Sequence, residues 1–138
     1  MDSEANVILD FARAIFDAQP FTQFLTAELV SASREAVTIR LPIRREILQQ
    51  HGFVHGGAIS YLADNAITFA GGIALNGDAL TSEFKVNYLR PAKGTALIAR
   101  AAVRSSGRRQ AVCQCDIFVE DDEDKPVAVA QGTVVPVG

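Results

Sequence analysis

The sequence has no tryptophan and few cysteines: two of its 138 residues are Cys, and both stand in one short stretch. Cys113 and Cys115 alternate with polar residues in a strand-like segment, so both side chains are expected on the same face of a sheet. At that spacing their side chains are too far apart for a relaxed disulfide. We therefore predict two small buried residues, and nothing in the sequence requires an oxidising compartment.

A strong excess of one charge is also absent. Thirteen Lys and Arg residues stand against sixteen Asp and Glu residues, which gives a formal net charge of -3. That balance argues against nucleic acid as a partner, and only residues 104–109 form a local basic cluster. The first residues are acidic, whereas a secretory signal would be basic.

No long apolar run is free of polar residues. The longest, residues 58–75, contains Ser60, Asp64, Asn65 and Thr68. These side chains would be costly inside a bilayer. We therefore expect a cytoplasmic protein with no membrane association.

The patterns that are present predict an α+β fold. A length of 138 residues suits one domain over residues 1–138. Apolar residues at three- and four-residue spacing predict an N-terminal helix within residues 1–20 that ends at Pro20. Two strands follow, then a long helix over residues 56–75, then four strands that short turns join and that are expected to pair antiparallel. Because the long helix is apolar on nearly every side and rich in Ala and Gly, we expect a curved sheet to wrap around it.

In the strand after the long helix, alternation predicts two distinct faces. One face would carry Leu80, Ser82, Phe84, Val86 and Tyr88, and the other would carry Thr81, Glu83, Lys85 and Asn87.

A carboxylate interrupts the long apolar helix. Asp64 stands among apolar residues, and burying an ionised carboxylate is costly unless something compensates its charge. Upstream, His55 precedes Gly56 and Gly57 at the predicted helix start, where backbone N–H groups lack partners and the helix dipole is positive. Glycine has no side chain to block approach, so these N–H groups could stabilise negative charge on a substrate carbonyl oxygen.

The spacing of these groups predicts a site that two chains share. Asp64 follows Gly56 by eight residues, which is ~12 Å along a helix that rises ~1.5 Å per residue. A reacting carbon must lie ~3 Å from both the oxyanion donor and the attacking group. One helix cannot place both there. If Gly56 and Asp64 serve one reaction, they must therefore come from different copies of the chain, in a symmetric dimer.

Further candidates lie near these two residues. Thr68 shares a helix face with Asp64, so its hydroxyl could orient the carboxylate or a water, or bond only to the carbonyl one turn back. The Gln49 amide could bind a substrate carbonyl or a leaving group, or be an exposed loop side chain. His51 and His55 accompany no nucleophile motif such as G-x-S-x-G, and the glycine between them argues against a metal site. We expect His55 to fix the loop through hydrogen bonds.

Three segments together resemble hotdog-fold thioesterases of the phenylacetic acid degradation type: GFVHGG, YLADNA and FKVNYLRPAKG. The resemblance covers residues 25–137 and implies an antiparallel sheet of about six strands wrapped around a long central helix. It also implies that chains pair into one continuous sheet, and that such dimers often pair again into tetramers. The activity implied is hydrolysis of acyl-coenzyme A thioesters, with Gly56 as the backbone oxyanion donor and Asp64 as the attacking or water-activating carboxylate.

The sequence combines features of two branches of that family. Many members have Asn where this chain has Gln49. A branch that acts on 4-hydroxybenzoyl-coenzyme A resembles this chain at Gln49, Gly56 and Thr68 but carries Glu at the acid position. The identity of the acyl group is therefore open.

No cofactor is implied other than coenzyme A as part of the substrate. Its anionic groups need cations at the rim of the site, and Gly57 is expected to contact substrate beside Gly56. The candidate cations stand at strand ends and turns: Arg90, Lys93, Arg108 and Arg109.

The leading hypothesis is an acyl-coenzyme A thioesterase. Asp64 of one subunit would act as general base for water, or as a nucleophile that gives a mixed anhydride, while Gly56 of the other holds the thioester carbonyl. Two alternatives stay open: an enoyl-coenzyme A hydratase or dehydratase that uses His55 with a carboxylate, and a non-catalytic acyl-coenzyme A sensor. Candidates for an aromatic acyl pocket are Phe53, Tyr61, Phe69 and Phe84.

Overall fold

The computed structural model describes residues 3–138 and confirms the predicted order of helices and strands. The predicted N-terminal helix runs from Ser3 to Asp17 and stops before Pro20, as expected. Pro20 then begins a second, short helix, where a missing N–H is tolerated. Residues 1–2 of the predicted helix lie outside the described residues. The helices are α1 (Ser3–Asp17), α2 (Pro20–Leu25) and α3 (Gly56–Leu75), with a short 3-10 turn at Arg45–Ile47, and the strands are β1 (Glu28–Ala32), β2 (Val37–Pro42), β3 (Ala79–Tyr88), β4 (Ala96–Ser106), β5 (Ala111–Val119) and β6 (Ala128–Pro136).

The six strands form one antiparallel sheet in the order β1-β2-β4-β5-β6-β3. The prediction that the last four strands pair in succession is right for β4, β5 and β6 but wrong for β3, which pairs with β6. The connection over residues 89–95 therefore crosses from one side of the sheet to the other. This crossing lets β3 close over α3 from the side opposite to β2, and it leaves the outer edge of β3 unpaired among the described residues.

The sheet wraps around α3, which supplies the centre of the core. Leu62, Ala63, Ala66 and Ile67 on this helix have no exposed surface. Within residues 3–138, α3 alone is long and apolar enough to cross a membrane by length and composition, and half of its apolar window is buried inside the fold. That burial is what a core helix shows, so its apolar character is explained by packing against the sheet.

The two cysteines lie on the inner face of β5, as predicted. Both thiols are free and buried, with at most 1% of either residue exposed. Burial raises the pKa of the Cys113 thiol to about 11 and that of Cys115 to about 12, so both behave as small apolar side chains at neutral pH.

Close approach between α3 and β6 requires a glycine at position 71. A Cβ placed on Gly71 would lie 2.6 Å from the Cβ of Val134, which is fully buried on β6. Real Cβ atoms do not approach so closely, so any larger residue forces the helix away from the sheet.

We predict that Gly71→Ala lowers the free energy of unfolding by about 1–3 kcal/mol because it overpacks this contact. Gly77→Ala is the matched control, since a Cβ there meets nothing within 4 Å. Urea unfolding of the two variants measures the difference. Equal stabilities would show that α3 and β6 do not need this close contact.

Candidate active site

A loop over residues 49–55 leads into α3, and His55 caps the helix. The Nδ1 atom of His55 accepts a hydrogen bond from the N–H of Gly57 at 2.8 Å, and the backbone N–H of His55 donates to the carbonyl of Ile47 at 2.8 Å. The expectation that His55 fixes the loop is confirmed. Because Nδ1 accepts, it carries no hydrogen, and the Gly57 N–H is already used within the chain.

The neighbouring N–H, that of Gly56, has no hydrogen-bond partner among residues 3–138. Gly56 is held from its other side: the Tyr88 hydroxyl donates to its carbonyl at 3.0 Å, and Ser60 bonds to the same hydroxyl. A Cβ on Gly56 would lie 3.3 Å from the Tyr88 ring. The first turn of α3 therefore offers one free N–H at the positive end of the helix dipole, in a fixed position.

Gln49 closes the loop with its side-chain oxygen. Its Oε1 accepts from the backbone N–H of His51 at 2.5 Å and from that of Phe53 at 3.3 Å. Because the oxygen is used inside the loop, only the amide NH2 group is available to a ligand. The NH2 group has no partner among the described residues. Gln49 can therefore donate a hydrogen bond to a ligand but is not free to accept one.

Asp64 lies two turns along α3, half-buried, with one oxygen held and one free. Its Oδ1 accepts from the Thr81 hydroxyl at 2.6 Å and lies 3.4 Å from the Thr68 hydroxyl. The Thr68 hydroxyl also lies 2.7 Å from the Asp64 carbonyl and 2.5 Å from Thr81 Oγ1. No described residue bonds to Oδ2, which is not among the buried unpaired atoms and so reaches solvent. The Thr81 hydroxyl thus orients the carboxylate, with the Thr68 hydroxyl beside it and closer to the backbone carbonyl, and one carboxylate oxygen is left for chemistry.

Thr81 belongs to this cluster, although strict alternation along β3 predicts the opposite face of the strand for it. A β-bulge between Thr81 and Glu83 shifts the register against β6, and an inserted residue reverses which side chains face inward. Thr81 consequently faces α3 with Phe84 and Val86, whereas Leu80 is 61% exposed. The prediction that Thr81 lies on the polar face, opposite Phe84, is therefore wrong. In the sequence, the one feature that points to Thr81 is that it lies on the strand that directly follows the helix carrying Asp64.

The predicted site residues, together with Thr81, fall into two groups on one chain. Gln49, His55, Gly56 and Gly57 lie at the start of α3, whereas Asp64, Thr68 and Thr81 lie at its middle. Eight residues of helix separate Gly56 from Asp64, or ~12 Å along the axis. The structure therefore does not bring the free N–H and the free carboxylate oxygen of one chain to a common atom.

The candidate cations also divide between two ends of the sheet. Arg90 and Lys93 are exposed on the connection after β3, which lies beside the Gly56 loop because the carbonyl of Ala92 accepts from the Val54 N–H at 2.8 Å. Arg108 and Arg109 are exposed on the β4–β5 turn. The ladder Thr81–Val134–Ala111–Ser106 places that turn at the Asp64 end.

The four aromatic candidates do not form a common pocket. Tyr61 joins a polar network in which its hydroxyl lies 2.6 Å from Thr22 Oγ1 and accepts from Asn65 at 3.2 Å. Burial raises the pKa of the Tyr61 hydroxyl. Phe84 packs against the core, while Phe69 alone of the four lines an apolar groove between α1 and α3.

Comparison with known proteins places this geometry in a family. The model of the thioesterase superfamily matches residues 51–125, more than half of the chain. The chain belongs to the thioesterase superfamily. It is 28% identical over 125 residues to acyl-coenzyme A thioesterase PaaI of Escherichia coli, which covers 88% of this chain and 85% of that protein. The matched segment contains the Gly56 loop, Asp64 and Thr81.

Solved structures of this superfamily have the same fold. A thioesterase family protein from Silicibacter pomeroyi is 31% identical, with a TM-score of 0.83 over 92% of this chain and 96% of that one. The PaaI protein of E. coli has a TM-score of 0.86 over 99% of this chain and 97% of its own, at 24% identity. The predicted hotdog fold and the predicted family are confirmed, and the chain is a thioesterase by family.

We predict that Thr81→Val lowers kcat for thioester hydrolysis about tenfold, because the carboxylate loses a hydrogen bond from a neutral donor. Thr81→Ser keeps the hydroxyl and is expected to retain most of the activity. Thiol release from a thioester substrate gives kcat, and thermal unfolding checks that both variants are folded. Equal loss in the two variants would mean that the methyl group and not the hydroxyl matters.

Proposed function

We propose that the protein hydrolyses acyl-coenzyme A thioesters at a site shared by two subunits. The observation that carries this proposal is the pair of unused groups on α3, the Gly56 N–H and the Asp64 Oδ2, which one chain holds ~12 Å apart. A thioester carbonyl needs an oxyanion donor and an attacking group at the same carbon. A second copy of the chain supplies the missing half.

The outer edge of β3 suits this pairing. It is ten residues long and unpaired within the described chain, and such an edge is a template for another strand. Two β3 strands related by a two-fold axis run antiparallel, so the start of one lies beside the end of the other. Thr81 stands near the start and Tyr88 at the end. The pairing therefore directs Asp64 of one subunit toward Gly56 of its partner.

The chemistry follows from what each group can donate or accept. The thioester oxygen accepts from the Gly56 N–H, and the NH2 of Gln49 binds the same oxygen or the sulfur. Asp64 Oδ2 takes a proton from water as the water oxygen bonds to the carbonyl carbon, or Oδ2 attacks that carbon itself. In the first route the carbon–sulfur bond then breaks, the sulfur takes the proton that Asp64 accepted, and the free acid remains. In the second route the bond breaks to leave a mixed anhydride between Asp64 and the acyl group, and water then cleaves the anhydride, which restores Asp64, releases the free acid and provides the proton for the sulfur. Single turnover in labelled water distinguishes them by whether solvent oxygen enters Asp64.

The candidate cations at the two ends of the sheet suit binding of the anionic coenzyme. A two-fold pairing that joins the Asp64 end of one subunit to the Gly56 end of the other also brings Arg108 and Arg109 toward Arg90 and Lys93 of the partner. Phosphate groups of the coenzyme would then meet positive charge from both subunits.

We predict that Gly56→Pro lowers kcat about a hundredfold, because proline removes the N–H proposed to bind the oxyanion. Proline is tolerated at the first position of a helix. His55 already has the extended conformation, φ -62° and ψ 137°, that a residue before proline adopts. Gly56→Ala is the matched control: it adds the same Cβ beside Tyr88 and keeps the N–H. Comparable loss in both variants would assign the effect to crowding and exclude the N–H.

We further predict that Asp64→Asn lowers kcat about a thousandfold without unfolding the protein, since the amide cannot act as base or nucleophile. Asp124→Asn, an exposed acid in the connection between β5 and β6 and outside the site, is the control.

Co-expression of Asp64→Asn with Gly56→Pro tests the shared site directly. Half of the dimers in an equal mixture are mixed, and each mixed dimer has one intact site, so about a quarter of parent activity should return. Activity no higher than that of either variant alone would place both residues in one subunit's site. A separate assay tests the alternative reaction. If the parent protein hydrates an enoyl-coenzyme A and releases no thiol, the protein is a hydratase and the proposed hydrolysis is wrong.

A further inference from the structure

An apolar groove of about 520 Å³ lies between α1 and the second half of α3. Val7, Phe11 and Ile15 line it from α1, Phe69 and Ile73 line it from α3, and Leu80 lines it from β3. Its volume is in the range of ligand pockets, and its walls are the kind that bind hydrocarbon.

The groove begins at the proposed site. Thr68 is one of its wall residues, and the Thr68 hydroxyl lies 3.4 Å from Asp64 Oδ1 and 2.5 Å from Thr81 Oγ1. A ligand in the groove would therefore have an apolar tail against α1 and a polar end at the carboxylate.

A cation closes the other end. Arg34 donates to Asn76 Oδ1 at 3.1 Å and to the Ile73 carbonyl at 3.4 Å, and it pairs with Glu4 at 3.5 Å. Eight residues of α3 and its cap separate Thr68 from Asn76, so the apolar stretch is ~12 Å long. An apolar tail cannot extend past the guanidinium without burying its charge.

Helix α1 is anchored in a way that leaves the groove free. Ala12 and Phe16 are buried, and the Phe16 ring packs 5.7 Å from the Phe69 ring. The adjacent stripe of Val7, Phe11 and Ile15 is 64%, 69% and 40% exposed. One face of α1 thus holds the helix against the core, while the next face presents apolar surface with no partner in the described chain.

We propose that this groove binds the acyl chain of the substrate, and that it selects linear chains of medium length, such as octanoyl and decanoyl groups. The inference rests on the proposed thioester hydrolysis and adds the substrate class to it. The tail lies between α1 and α3, its carbonyl lies at Thr68 and Asp64, and Arg34 limits its length.

Phe11→Ala tests this assignment, with Phe24→Ala on α2 as the matched control. Both rings are 69% exposed, but Phe24 lies outside the groove. We expect Phe11→Ala to lower the ratio of kcat/KM for decanoyl- over acetyl-coenzyme A about tenfold, because the tail loses an apolar contact. Phe24→Ala should leave the ratio unchanged. An unchanged ratio in Phe11→Ala, or a parent that prefers phenylacetyl-coenzyme A, would overturn the assignment.

Two measurements separate failure of the groove from failure of the hydrolysis. Binding of the decyl thioether of coenzyme A, measured by calorimetry, needs no turnover. If the parent cleaves no acyl-coenzyme A but binds this thioether in a Phe11-dependent manner, the groove is right and the hydrolysis is wrong. Sedimentation of Phe11→Ala completes the test: a smaller assembly than the parent would mean that a second copy of the chain covers this face, and would overturn the proposal.

Discussion

Close packing of α3 against the concave face of the sheet is the contact on which the other features depend. Gly71 lies under Val134, and buried alanines alternate with the larger Leu62 and Ile67 on the helix surface. Small residues let the strands approach from several directions, so the sheet curves around the helix and buries it. A bulkier helix would hold the strands apart. The apolar side chains of the helix would then be less completely buried by the sheet.

Within this packing α3 runs as one helix of 20 residues, and its length separates the two groups of candidate site residues. A helix with fixed rise carries the free N–H of Gly56 and the carboxylate of Asp64 at a separation that one substrate carbon cannot span. The proposed site between two subunits would resolve this conflict, and the unpaired edge of β3 is the surface that suits such a pairing.

Polar residues within the apolar core occur where they have partners. The Asp64 carboxylate accepts from Thr81 across the helix–sheet interface, and Tyr61, Thr22 and Asn65 bond to one another between α2 and α3. The first contact orients the Asp64 carboxylate, while the second attaches α2 to α3. Helix α1 is held separately, by the buried Phe16 ring against Phe69, and it forms one wall of the groove that begins at Thr68.

Local patterns in the sequence determined the bounds of α3, the inward-facing pair Cys113 and Cys115, and the choice of Gly56 and Asp64 as candidates. Each depends on neighbours a few residues away, through helical period, strand alternation and the glycines at the helix start. Tertiary structure alone decided that β3 pairs with β6 and that Thr81 turns toward Asp64. Strand order depends on contacts between distant residues, and a bulge reverses alternation without a local signature. The groove between α1 and α3 exists only once two distant segments are packed side by side.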